Sequence, residues 1–441
     1  MKYTFIFLSF AFILEKNINF LYYTKRLCIV KKAEFLYNNE DYTFQEGACK
    51  IMLLLLVIYI AFIGVGIPET LIGAAWPAVY TEWGLPESWL SFVTIIIPGC
   101  IVLSGALSSR ALNKFGTYKV TVFSIAMTAL ALLGYAMAPN FWWFCVLAVP
   151  LGLGAGAINT GLNNYVALHY TATHMNFLHC FYGLGITGCL SLMSLALSDN
   201  NWRAGYIYAF LVQVVIVTLF TLSFKLWKKG EADIQAEEQT KNLSAKEMLL
   251  TPGLWIVWII MLATNGIECV CGNWCSTYLV ETKGFTGGQG ALTMTCYYVG
   301  LTLGRFLSGA LASKVKTWNR IYISCGILAV ALIMLLLPGG TVLSVAGVFL
   351  VGLGNSSIYP NFIYLTPYNF GKDISQAVMG SQVAFAFTGV MLFPPLFGLF
   401  VQMGGIFSFP LFMTVLFAVM AAAIWVFVKK AKISGKYNPN V

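Results

Sequence analysis

The chain has 441 residues, 59% of them hydrophobic and only 10% charged, with a formal net charge of +9. A soluble globular protein carries about 25% charged residues, so this composition excludes a surface that faces mainly water. It favours a chain that lies in a lipid bilayer.

In chain order, residues 1–50 come first and stand apart: they are rich in Lys, Asn, Tyr, Phe and Glu. The apolar run from Tyr3 to Leu14 is shorter than the roughly 20 residues a span needs, and no small-x-small cleavage site follows it. A poorly ordered N-terminal extension is expected, with a peripheral helix or leader as the alternative. Twelve long apolar runs follow, near 51–80, 88–108, 120–138, 141–166, 175–197, 203–225, 253–280, 288–313, 319–337, 341–365, 374–402 and 405–428. They do not alternate as barrel strands would, so they are expected to be helices, whose backbone groups are paired internally. The only long polar stretch between runs is Leu226 to Thr251. Its Ser244-Ala-Lys-Glu247 fits a capping box opening a short surface helix, which Pro252 ends. The expected organisation is a 51–225 bundle, a 226–252 linker, a 253–430 bundle and a 431–441 tail.

Charge placement supports twelve spans with both termini cytoplasmic. With the first span running outward, the inner loops and tail hold sixteen Lys and Arg residues: Arg110, Lys114, Lys119, Lys225, Lys228, Lys229, Lys241, Lys246, Lys314, Lys316, Arg320, Lys372, Lys429, Lys430, Lys432 and Lys436. The outer loops hold Arg203 and Lys283. This is the positive-inside pattern, and it accounts for the positive net charge without nucleic acid.

The chain repeats itself. "LSGALSSR" at 103–110 returns as "LSGALASK" at 307–314, Glu69 and Glu82 return as Glu268 and Glu281, and "GLG" at 152–154 returns at 352–354. The offsets are 204, 199 and 200 residues. Three matches in the same order make two parallel six-helix repeats, with a central cavity between them near the midplane. Each octapeptide ends a helix at the inner face. Gly105 and Gly309 allow close helix approach, Arg110 and Lys314 sit at the interface, and the two copies are expected to meet at an inner gate.

"GALSSRALNKFGTYK" resembles the helix 2–3 signature of the major facilitator superfamily: Gly105, Arg110, Gly116 and Lys119 match, and Ser109 stands where the acid usually is. "NFLHCFYGLG", "GIECVCGNWCSTYLVE", "GLGNSSIYPNF" and "GSQVAFAFTGVMLFPPLFG" together resemble its fucose-permease-like branch of sugar/proton symporters, over residues 51–430. The resemblance implies a helical transporter working by alternating access, with an acid on helix 1 in proton coupling. Relatives often carry a second acid after "GLG" on helix 4, where this chain has Ala157 and Asn159.

After residue 50, two acids lie deep in spans, Glu69 and Glu268. A charge at that depth costs about 2.5–3.5 kcal/mol, so it faces a cavity or a partner. Glu69 follows Pro68 between Gly66 and Gly73, where a helix break is expected, and is the proton-coupling candidate; a structural tie to a neighbouring helix is the alternative. Glu268 is either a substrate contact or a structural partner. Arg305, about nine residues inside its helix, either snorkels or holds the gate, or binds an anionic substrate; its counterpart in the first copy is Ile101. His179, Asn159 and Asn163 are further candidates for substrate contact, with helix packing as the alternative. So are Trp76, Trp274, Tyr278, Tyr359 and Gln382, the aromatics as stacking faces for a sugar or other planar solute.

Eleven cysteines, an odd number, imply no disulfide framework. Cys269 and Cys271 point apart on a helix, so no metal site is expected. No P-loop, HExxH or GxSxG sequence is present. The chain is therefore read as a secondary active transporter of a small polar solute, a sugar among the candidates, by proton symport, with no cofactor beyond the proton gradient. It is expected to be a monomer in the plasma membrane. A proton antiporter exporting drugs or metabolites is the runner-up. A membrane-embedded enzyme or lipid-handling protein would need a clustered nucleophile, base or metal set that the sequence lacks.

Overall fold

The computed structural model describes residues 39–86, 89–227 and 241–433. The apolar run Tyr3 to Leu14, residues 228–240 of the polar linker and the end of the tail lie outside the described residues. The chain divides into two compact units, Met1–Leu56 and Val57–Val441. The described part of the first is the start of a helix that begins at Asn39, so Asn39 to Lys50 is helical.

The second unit continues that helix, α1 (Asn39–Trp83), and adds α2 (Leu90–Phe115), α3 (Thr117–Ala136), α4 (Phe141–His169), α5 (Ala172–Ser198) and α6 (Trp202–Leu222). After the linker come α7 (Leu254–Lys283), α8 (Gly287–Ala310), α9 (Thr317–Leu336), α10 (Thr341–Asn355), α11 (Lys372–Gly404) and α12 (Phe409–Ile433). Among the described residues, eleven helices are long and apolar enough to cross a membrane by length and composition. The 24-residue α8 is not one of them; its apolar run is diluted by glycines, Gln289 and Arg305.

Local chemistry sets the boundaries. Asn140 caps α4 by accepting from the Trp142 N–H at 3.2 Å, and Asn201 caps α6 by accepting from Ala204. The expected capping box is present: Ser244 and Glu247 bond each other reciprocally at the start of Ala245–Leu250. Gly116 takes φ +80° between α2 and α3, a left-handed turn that a side chain would strain. The outer faces of α3 and α9 expose Phe123, Leu130, Val330 and Ile333, as lipid contact requires. Inside, α2 lies along α11 and α5 along α8, each pair joining one half to the other.

The expected break at Glu69 is not there. α1 runs through Pro68 as one helix. Pro68 has no N–H to give the Gly64 carbonyl, and Gln213 of α6 supplies the missing donor at 3.0 Å. The break falls in α10. Its helix stops at Asn355 and resumes as Ile358–Tyr364, then Thr366–Phe370. Here Pro360 leaves the Ser356 carbonyl without its helical donor, and Arg305 Nε donates to it at 3.3 Å.

Candidate solute pathway

The end of the bundle that carries both octapeptides is shut by polar contacts between the halves. Gln376 of α11 donates from Nε2 to the Ser109 carbonyl at 3.1 Å and to Asn113 Oδ1 at 2.6 Å. Asn164 of α4 donates to Gln376 Oε1 at 3.4 Å and accepts from Ser375 at 2.8 Å. On the other side, Asn176 of α5 donates to Asn361 Oδ1 at 3.0 Å, and Asn361 donates to Ser308 Oγ at 3.3 Å. Gly105 packs on Gly380, and Gly309 on Phe177 and the Thr173 carbonyl.

The octapeptides therefore each meet the opposite half, and among the described residues no hydrogen bond or ion pair joins one to the other. Arg110 and Lys314 are exposed and form no ion pair among the described residues. Glycines and amides make the contact. Asn176, Gln376 and Asn361 were not anticipated. The signal was available: Asn176 and Gln376 stand 200 residues apart (376 − 176), the offset of the "GLG" pair, and each is the fifth residue of its helix.

Deeper in the bundle, Arg305 and Glu268 form an ion pair at 3.4 Å. The arginine side chain is 7% exposed and the glutamate 27%, so Glu268 is the member that faces open space. Tyr297 donates to the Glu268 carbonyl at 3.4 Å. His179 is buried between Phe62 and Tyr359, edge-on to both, with ring centres 5.5 and 5.3 Å away. Its Nε2 meets no hydrogen-bond partner among the described residues.

A second cavity wall gathers Val65 and Pro68 of α1, Ile101 of α2, Asn159 of α4, Tyr182 of α5 and Phe387 of α11. Asn159 accepts from Asn163 within α4, and Asn163 Oδ1 is left without a partner. Glu69 follows Pro68 on α1, but its side chain lies outside the described residues.

The remaining candidates sit elsewhere. Trp76 packs on Phe141 within the first half, rings 5.8 Å apart. Trp274 donates to the Pro394 carbonyl at 3.0 Å, and its ring meets Phe397. Tyr278 donates to the Leu335 carbonyl at 3.1 Å and stacks on Phe409. Gln382 is fully buried, accepts from Thr366 at 2.9 Å and leaves Nε2 unpaired. These four hold helices together within a half. Of the aromatic candidates, Tyr359 is the one whose ring meets His179 among the described residues.

A model of the Major Facilitator Superfamily matches residues 58–389. The chain belongs to the Major Facilitator Superfamily. It is thus a multi-pass membrane transporter and not an enzyme. It is similar to the glucose/mannose transporter GlcP of Bacillus subtilis, at 23% identity over 348 residues, 76% of this chain and 84% of that protein. It is also similar to the cis,cis-muconate transport protein of Acinetobacter baylyi, at 22% identity over 230 residues, 49% of this chain and 55% of that protein. Among solved structures, the superfamily transporter FucP in its outward conformation matches with a TM-score of 0.68 at 16% identity, over 86% of this chain and 99% of that one. That likeness is one of fold.

Proposed function

We propose that this superfamily member is a proton-coupled symporter of a small polar solute, of the size and hydroxyl content of a sugar. The observation that carries the reading is the amide-and-glycine seal at one end of the two halves. Each hydrogen bond there is worth about 0.5–1.5 kcal/mol net, so the seal is cheap to open and to remake. A transporter that alternates between two accesses needs such a contact; a permanent structural interface would not be limited to one. The seal occupies the cytoplasmic face of a plasma-membrane protein whose two termini lie inside. The protein works as a monomer, since one chain supplies both halves of the pathway.

Glu69 is the proton-coupling acid in this reading, on the strength of its depth in α1 and of its place beside the cavity wall at Pro68. Asn159 and His179 meet the solute, and Tyr359 supplies an aromatic face. The test is uptake into proteoliposomes loaded with a pH-sensitive dye. Solute-dependent acidification of the lumen under an inward proton gradient supports symport. Acidification of the lumen coupled to solute leaving it, the proton entering in exchange, would make the protein an antiporter, and no solute-dependent proton movement with any sugar or acid offered would reject coupling.

A further inference from the structure

We propose that the transported solute bears a carboxylate, which replaces Glu268 on the Arg305 guanidinium while Glu268 takes up a proton. The proposal rests on the transport reading above and names the substrate class of that pathway.

Arg305 is a cation at membrane depth, and the fold does not demand one there. The first half places Ile101 at the corresponding point of its octapeptide helix, and Ile101 lines the cavity. A buried guanidinium needs a counter-charge, and removal of its partner leaves it uncompensated. The partner present is a poor match. Glu268 meets one Nη2 at 3.4 Å, in place of the two short parallel bonds that a guanidinium and a carboxylate form when both are free to align. Arg305 Nε is held by the Ser356 carbonyl at the α10 break, which fixes the plane of the fork. Glu268, more exposed, carries no other hydrogen bond to its carboxylate among the described residues.

The surroundings offer no substitute. Cys271 lies on α7 with Glu268 and Tyr297 faces it from α8; His179 and Cys180 approach Arg305 from α5. Tyr359, from the helix after the α10 break, lies against His179. Among the described residues the pair has no second acid or fixed cation beside it. Its net charge is therefore zero, and any ligand must keep it so. A neutral sugar that displaced Glu268 would leave Arg305 unpaired. A phosphate dianion would leave one excess negative charge. A carboxylate that arrives as Glu268 is protonated restores neutrality, and it can engage the fork with both oxygens. Similar proteins are named for hexoses and for an acid, so the superfamily fold leaves both classes open and the charge pair decides.

The experiment follows the unfolding temperature of the purified full-length protein at matched ionic strength, with D-gluconate, D-glucose or methyl phosphate added, because a ligand that binds the folded state raises the midpoint. Gluconate is expected to raise it in acid, with apparent affinity falling about tenfold per pH unit once Glu268 ionises, as one linked proton requires. Glu268→Gln should bind gluconate equally in acid and alkali. Arg305→Gln in that background should abolish the effect, and Arg305→Lys, which keeps the charge and loses the fork, should weaken it. The inference is overturned if gluconate stabilises neither the parent nor Glu268→Gln, if its effect in the parent ignores pH, if it survives Arg305→Gln, or if glucose or methyl phosphate stabilises more strongly than gluconate does. Counterflow in vesicles is scored separately. Gluconate bound but never moved leaves Arg305 a carboxylate site and overturns its assignment to the transported solute; glucose moved with no carboxylate bound overturns the inference and leaves the transport reading standing.

Discussion

Gly105 and Gly380 meet backbone to backbone across the two halves. A Cβ added to Gly105 would lie 2.7 Å from the Gly380 carbonyl oxygen, closer than real Cβ atoms come. Gly309 is in the same position against the Phe177 ring, at 2.8 Å. A side chain at either glycine must push α2 from α11, or α8 from α5. Overpacking costs about 1–3 kcal/mol, and it applies only while this end is shut. Gly105→Leu should therefore lower the closed-to-open ratio by about 5- to 150-fold. Labelling of a cysteine at Ser109→Cys, whose side chain is buried at this contact, by a polar maleimide, in a background without native cysteines, should rise accordingly. Unchanged labelling would mean that the glycine contact does not govern access.

Asn176 and Gln376 do the polar part of the same work on opposite sides. Replacing Gln376 by Leu removes the donor to the Ser109 carbonyl, and a buried group so stranded costs about 1–3 kcal/mol. Asn176→Leu strands Asn361 Oδ1 in the same way. Each substitution should open this end, and the two effects should add, because the two sites share no partner. Distances between spin labels on α2 and α11, and on α5 and α8, read the outcome. If the double variant keeps the parent's closed distances, the amides are packing elements only.

The twelve spans and the repeat could be read from the sequence because they are properties of composition and spacing. Bilayer thickness fixes the run length, and a duplicated unit leaves equal offsets. The contact between the halves was legible to the same degree: the octapeptides lie on helices that pack across it, since small residues report close approach whatever the partner. The partners themselves were not legible. Arg110 and Lys314 looked like gate residues because charge is conspicuous, whereas Gln376 and Asn361 are ordinary letters until folding brings them across the interface. The helix break was misplaced for a related reason. Pro68 and Pro360 leave the same defect, a carbonyl without a donor, and sequence cannot say which one a distant side chain repairs. Gln213 completes α1 at Gly64, while Arg305 takes the Ser356 carbonyl without restoring the helix. Trp76, Trp274 and Tyr278 are expected as stacking faces for a planar solute, but Trp76 packs on Phe141, Trp274 donates to the Pro394 carbonyl and Tyr278 to the Leu335 carbonyl, each within its own half.

The linker carries a pH-dependent element outside the membrane. Glu247 accepts from the Ser244 hydroxyl at 2.6 Å and from its N–H at 2.7 Å. These bonds, the hydroxyl's first and the backbone's second, hold its carboxyl below the ordinary carboxylate range. A depressed folded value means that the stabilisation is present above the ordinary value and is lost as pH falls through the depressed one. Backbone amide exchange in Ala245–Leu250, corrected for the intrinsic rate, should therefore speed up in acid. Ser244→Ala should bring the fast exchange to neutral pH and flatten the pH response. A pH response that persists in Ser244→Ala would assign it to another group.

Glu69 tests the coupling itself. It lies in a helix that is continuous through Pro68, so its role cannot depend on an unwound backbone and must come from the acid side chain alone. Glutamine keeps the size and hydrogen-bonding capacity of the glutamate but cannot give up a proton near neutral pH. Glu69→Gln should then lose uptake driven by a proton gradient, while exchange of labelled for unlabelled solute, which needs no net proton movement, continues. It should also leave carboxylate binding at Arg305 intact, because that binding takes its proton at Glu268. The two acids are separated by running both variants through both assays. Glu69→Gln is expected to fail in gradient-driven uptake and pass in binding, and Glu268→Gln to bind without its pH dependence. Full gradient-driven uptake by Glu69→Gln would remove that residue from the coupling role and leave Glu268 as the only deep acid able to carry the proton.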